Sequence, residues 1–74
     1  MEYAKLDSAK IGNRLREIRA ERGETAENVA KSIGVSGSAI AMYEIGQRVP
    51  RDEIKIRIAE HFGMSIESIF FPTI

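Results

Sequence analysis

The sequence predicts an all-α fold, a compact bundle of five short helices, and three observations carry that prediction. Glycines at 23, 34, 46 and 63 each follow a segment of helical character, where the left-handed backbone that ends a helix favours glycine. Ser8, Thr25, Ser36 and Ser65 each stand just ahead of such a segment, where a side-chain oxygen caps unpaired amides. Between these stops and starts, apolar residues recur at three- and four-residue spacing.

The first helix is expected over 9–22, with Ile11, Leu15, Ile18 and, at its end, Arg22 on one face. A second over 26–33 turns Ala26, Val29, Ala30 and Ile33 inward. The third, over 37–45, points Ile40, Tyr43 and Glu44 inward, although its opening Gly37-Ser38 pair has low helix propensity. The fourth lies between Pro50 and Phe62: proline suits a helix start, and Asp52 and Glu53 suit the positive end of the helix dipole. Ile54, Ile56 and Ile58 alternate with Lys55 and Arg57 as in a strand. Yet Ile54, Ile58 and Phe62 also recur every four residues and Ala59-Glu60-His61 continue a helix, which leaves Ile56 on a different face. A fifth helix over 66–70 follows Ser65 and stops before Pro72. Residues 1–8 are expected to form an N-terminal arm, and 9–74 a single domain without repeat or linker.

Composition narrows the function classes. A chain of 74 residues has room for one small core and little room for a substrate pocket. Without cysteine there is no disulfide, thiolate nucleophile or cysteine-based zinc site, which fits a reducing cytoplasm. No apolar run approaches the roughly 20 residues of a membrane span, and no signal-peptide pattern opens the chain, so a cytoplasmic location without membrane contact is expected. His61 is the sole histidine and reads as a surface or core-edge residue, with no second histidine to complete a metal site. Asp7, Asp52 and the serines show no triad spacing. No catalytic residue, metal, cofactor or small-molecule substrate is therefore expected, and the chain does not read as an enzyme.

Charge argues against a simple basic binder. Eleven Lys and Arg balance eleven Asp and Glu, whereas nucleic-acid binders are usually basic because they neutralise phosphates. The distribution is uneven, however. Lys5, Lys10, Arg14, Arg16, Arg19 and Arg22 outweigh Asp7, Glu17 and Glu21. Arg48, Arg51, Lys55 and Arg57 outweigh Asp52 and Glu53. Between these basic blocks, Glu24, Glu27 and Glu44 face a single Lys31.

The stretch from Thr25 to Gly46 reads as helix, tight turn at Gly34-Val35-Ser36, and second helix. That spacing is the helix-turn-helix pattern. Gly34 permits the left-handed turn residue, Ala30 lets the helices approach, and Val35 fills the angle between them. The second helix is then held where it can enter a major groove about 12 Å wide.

At this point four segments resemble one family: Ile11-Gly-Asn-Arg-Leu-Arg-Glu-Ile-Arg, Val29-Ala-Lys-Ser-Ile-Gly-Val-Ser, Ile40-Ala-Met-Tyr-Glu-Ile-Gly-Gln-Arg-Val-Pro and Ile58-Ala-Glu-His-Phe-Gly-Met-Ser-Ile-Glu-Ser-Ile-Phe. Together they look like the Cro/Xre family of phage-repressor-like regulators, over about residues 10–71. The resemblance implies a lambda-repressor-like DNA-binding domain. It also implies a sequence-specific transcriptional regulator, of repressor type and nucleoid-associated, with helix 37–45 in the major groove of double-stranded DNA. It further implies that Arg19 pairs with Glu44 and ties the recognition helix to the first helix, in keeping with a forked guanidinium suiting a carboxylate. Thr25 corresponds to the family's phosphate-facing cap. Ser36, Gly37, Ser38, Ala41 and Met42 match its DNA-facing positions.

Here the chain departs from the family, whose members often carry Gln at position 26 and long polar residues at 37 and 42. It has Ala26, Gly37 and Met42 instead, and no Arg, Lys, Asn or Gln lies between Lys31 and Gln47. Readout would rest on serine hydroxyls, backbone groups, contact of Ala41 or Met42 with thymine methyls, and DNA shape. Gln47, Arg48 and Arg51, after the third helix, are expected to grip phosphates. A homodimer is expected because Ile56, Ile66, Phe70, Phe71 and Ile74 exceed what one small bundle should bury. It would span two half-sites about one helical turn apart. The alternative is a protein-interaction module on the same scaffold, with Met42 and Ile45 as its docking stripe and specific DNA binding lost.

Overall fold

The computed structural model describes residues 7–71 and contains five helices in the order α1 (Ser8–Glu21), α2 (Ala26–Ile33), α3 (Gly37–Glu44), α4 (Asp52–Phe62) and α5 (Ile66–Phe70). No strand occurs among the described residues. Most of the expected arm, Pro72 and Ile74 lie outside the described residues.

Cap chemistry sets most of these boundaries. Thr25, Ser36 and Ser65 cap α2, α3 and α5, accepting from the amides of Asn28, Ala39 and Ser68 at 3.0, 3.1 and 3.2 Å. At α1 the cap is Asp7, not Ser8: its carboxylate accepts from Ala9 and Lys10 at 3.0 and 3.2 Å, and Ser8 becomes the first helical residue. The helix also ends one residue earlier than expected, with Arg22 as its C-cap. Likewise α3 ends at Glu44, with Ile45 as its C-cap. Arg51 precedes α4 without a side-chain cap, so Asp52 and Glu53 in its first turn complement the helix end through charge alone.

Each helix contributes to one shared core. Ile11, Leu15 and Ile18 come from α1, Val29, Ala30 and Ile33 from α2, and Ile40 and Tyr43 from α3; Ile58, Ala59 and Phe62 of α4 meet Ile69 and Phe70 of α5. The three- and four-residue spacing of these side chains gives each helix an apolar inner stripe, and pooling these stripes stabilises elements too short to stand alone. α3 rests on α1 and α2, while α5 closes the far end against α1 and α4.

Basic side chains are woven into this frame. Arg22 is exposed and not on the inner face as expected; from the end of α1 it donates to the Phe62 carbonyl at 2.9 Å and lies over the Phe62 ring. Arg57 donates to the Ile33 carbonyl at 3.3 Å, and Arg14 to the Ser68 carbonyl at 3.3 Å. Phe62 and Ile33 are the last residues of their helices and Ser68 lies in the final turn of α5, so these cations sit at the negative ends of three dipoles. Lys55 is buried, its ammonium 3.5 Å from Asp52 and within 6 Å of the Phe70 and Phe71 rings. These four basic side chains are thus held by groups of the protein itself, although Arg22 and Arg57 remain at the surface.

Candidate nucleic-acid interface

The turn between α2 and α3 is built from backbone conformation. Gly34 has φ +80°, and the amides of Gly34 and Val35 both donate to the Ala30 carbonyl at 2.9 Å. The paired bonds reverse the chain within one turn, as in a left-handed helix cap. Val35 packs half-buried against the core, and Ala30 is fully covered.

Three contacts then fix α3. Its inner face, Ile40 and Tyr43, is buried in the core. Arg19 clamps its C-terminal end: Nε donates to Glu44 Oε2 at 2.6 Å, Nη2 to Glu44 Oε1 at 3.0 Å, and Nη1 to the Glu24 carbonyl at 2.8 Å. The fork thereby joins α1, the loop before α2, and α3. The side chains are only 22 % and 11 % exposed, so the pair works in a partly desolvated setting. The hydrogen bond to Glu44, opposed by burial, raises the Arg19 pKa above its already high value, and the guanidinium stays charged. The third contact is Gly12, where a Cβ would stand 2.5 Å from the Tyr43 carbonyl oxygen and closer still to that of Glu44.

What α3 leaves outward is its opposite face. Ser38, Ala41 and Ile45 are exposed and Met42 is half-buried, at spacings of three, four and seven residues that align them in one stripe. Ile45 is 63 % exposed, the most open large apolar residue among those described. Ser36 and Gly37 open the stripe, Ser36 exposed with its oxygen engaged as the cap and Gly37 half-buried beside Glu27. Beyond α3 the chain folds back: the amides of Gln47 and Arg48 donate to the Met42 carbonyl at 2.9 and 3.4 Å. Gln47, Arg48 and Arg51 are exposed, and neither arginine makes an ion pair among the described residues. Thr25, exposed at the start of α2, completes the set.

The residues expected at a dimer contact separate. Ile56 and Phe71 are exposed, and with the half-buried Ile66 they line a shallow groove that also includes Asp52 and Lys55. Phe70 is 2 % exposed and belongs to the core, because α5 turns it inward beside Ile69; it is unavailable to a partner. Ile74 lies outside the described residues.

Sequence reasoning missed a hydrogen-bonded chain in which His61 Nδ1 meets Ser32 Oγ at 2.8 Å and His61 Nε2 meets Glu24 Oε1 at 2.7 Å. One neutral tautomer satisfies both contacts, with Nε2–H donating to Glu24 and Nδ1 accepting from Ser32. The order Ser–His–Glu matches a hydrolytic triad, but Ser32 lies within α2, where neighbouring amides are bonded along the helix and none is free to hold an oxyanion. The chain is a clamp joining α4, α2 and the loop after α1. With the partners 29 and 37 positions apart in sequence, no local pattern could have revealed it.

Comparison with known proteins finds relatives of the same family and fold. The profile of a helix-turn-helix domain family matches residues 10–68. A helix-turn-helix-type transcriptional regulator of Methanocaldococcus jannaschii is 40% identical over 58 residues, covering 78% of this chain and 88% of that protein. The transcriptional repressor RstR of the cryptic phage CTXphi of Vibrio cholerae is 32% identical over 59 residues, which is 80% of this chain and 53% of the repressor. The crystal structure of the restriction-modification controller protein C.AhdI of Aeromonas hydrophila superposes with a TM-score of 0.83 at 29% identity, over 89% of this chain and all of that one.

Proposed function

The chain belongs to the helix-turn-helix family of DNA-binding transcriptional regulators, and from that premise we propose how it acts. α3 enters the major groove with Ser38, Ala41, Met42 and Ile45 toward the base edges. Ser36, Gly37 and the capped start of α2 at Thr25 lie along one phosphate backbone, where helix amides attract anions. Gln47, Arg48 and Arg51 contact phosphates on the other side. The role is repression by occupancy, without catalysis, in the cytoplasm.

The observation that carries this reading is the placement of Arg48 and Arg51. While Arg14, Arg19, Arg22 and Arg57 are engaged by carbonyls and carboxylates, these two are exposed on the segment that follows α3, where the Arg48 amide donates to the Met42 carbonyl. Zero net charge is then no obstacle, because two exposed arginines stand on the segment directly after the recognition helix.

The groove at Ile56, Ile66 and Phe71 supports a homodimer that presents two recognition helices about one helical turn apart. The exposure of Ile45 favours one second reading, a protein docking stripe on α3.

Retention on mixed-sequence duplex DNA at low salt separates the two. The DNA reading expects retention that falls steeply as salt rises and weakens in Arg48→Ala and Arg51→Ala. Absence of retention at low salt contradicts it and leaves the docking stripe.

A further inference from the structure

We propose that the outer face of α3 reads thymine 5-methyl groups, so that the methyls of T·A pairs are the main determinants of the preferred half-site. The inference rests on the DNA reading above and adds to it the chemistry of the code.

The surface that α3 presents lacks the side chains that read most base edges. Guanine offers two acceptors in the major groove and is read by Arg or Lys; adenine pairs an acceptor with a donor and suits Asn or Gln; cytosine offers a donor and suits a carboxylate. No Arg, Lys, Asn or Gln occurs in Gly37–Glu44. The helix has one carboxylate, Glu44, and both of its oxygens are held by Arg19. Tyr43 is buried. What remains outward is Ser38, whose hydroxyl serves any base, and the apolar Ala41, Met42 and Ile45. The thymine methyl is the one apolar group on a major-groove edge, and it alone matches this stripe.

The converse also holds. A guanine or adenine edge pressed against Met42 or Ile45 would lose its water and gain no hydrogen-bond partner, which is costly. The stripe therefore selects for methyls and against purine edges at the same positions. Charge complementarity favours DNA over a protein as the occupant, since the Met42 carbonyl anchors the segment that carries Arg48.

The test uses the full chain and a duplex selected by it from a randomised pool, against the same duplex with every thymine replaced by uracil. Uracil keeps the pairing and all hydrogen-bonding edges and removes only the methyl. The proposal expects affinity to fall about fourfold for each contacted methyl removed. Met42→Ala and Ile45→Ala should shrink the difference between the two duplexes. Arg48→Ala should weaken binding to both equally and leave their ratio unchanged. Equal affinity for the two duplexes, within twofold, overturns the methyl code while leaving the DNA reading intact. Failure to enrich or bind any duplex at low salt overturns the DNA reading and this inference with it.

Discussion

Gly12 of α1 and Tyr43 of α3 meet backbone to backbone: a single added Cβ at Gly12 would lie 2.5 Å from the Tyr43 carbonyl oxygen. A glycine inside a helix costs about 1 kcal/mol relative to alanine, and here that cost permits an approach no other residue allows. α3 is therefore seated at its C-terminal end by contact with α1, and the Arg19–Glu44 fork locks the same end from the side.

Gly12→Ala tests that seat. The gain in helix propensity is outweighed by a clash with two carbonyl groups that belong to rigid backbone, so a net loss of about 2 kcal/mol is expected. In a domain of this size that lowers Tm by roughly 10 °C. A melting temperature equal to that of the parent protein would show that the helices do not meet as described.

Glu44→Ala leaves the Arg19 guanidinium partly buried without its carboxylate, and a loss of about 2–3 kcal/mol is expected, less than for a fully enclosed pair. Arg19→Lys should not preserve the stability, because one ammonium cannot span both Glu44 oxygens and the Glu24 carbonyl. In urea unfolding, the Arg19→Ala/Glu44→Ala double variant should lose less than the sum of the single losses. Strict additivity would argue that the two side chains act independently.

His61→Ala removes the middle of the Glu24–His61–Ser32 clamp and should cost about 1–2 kcal/mol, whereas Ser32→Ala, at the exposed end, should cost less. Thermal unfolding of both variants checks the order. Equal effects would place the weight on the serine contact instead.

Arg48→Ala and Arg51→Ala should each reduce the dependence of DNA affinity on salt, lowering the slope of log K against log salt by about one. Lys55→Ala offers the contrast, because its ammonium is enclosed by Asp52 and two aromatic rings: it should alter stability and leave that slope unchanged. A reduced slope in Lys55→Ala would mean that this lysine reaches the phosphates.

Phe71→Ser and Ile56→Glu change exposed side chains and should leave folding intact while shifting the protein to monomer in sedimentation equilibrium. Parent and variants sedimenting alike would contradict a dimer through this groove.

Where residue chemistry is local, the structure was legible in advance. α2 and α5 begin and end where their caps and inward apolar residues indicate, since Thr25, Gly34 and Ser65 act within one helical turn of themselves. The start of α1 was one residue off because Asp7 and Ser8 are both good capping residues, and the one a step earlier made the bond. The Arg19–Glu44 partnership came from a resemblance, not from spacing. The role of Arg22 was hidden, because reaching the Phe62 carbonyl depends on how α1 and α4 end against each other. Net charge misled for the same reason: both arginines are exposed, and a count of basic residues does not distinguish Arg57, tied to the Ile33 carbonyl and Glu53, from Arg48, which makes no ion pair among the described residues.

Amide-resolved NMR of the full chain titrated with a duplex it selects tests whether the outer face of α3 and the segment after it form the DNA surface. The largest shift changes are expected on Ser36 to Ile45 and on Gln47, Arg48 and Arg51, with Thr25 beside them. Changes centred on Ile56, Ile66 and Phe71 with α3 unperturbed, or no change with any duplex at low salt, would contradict it.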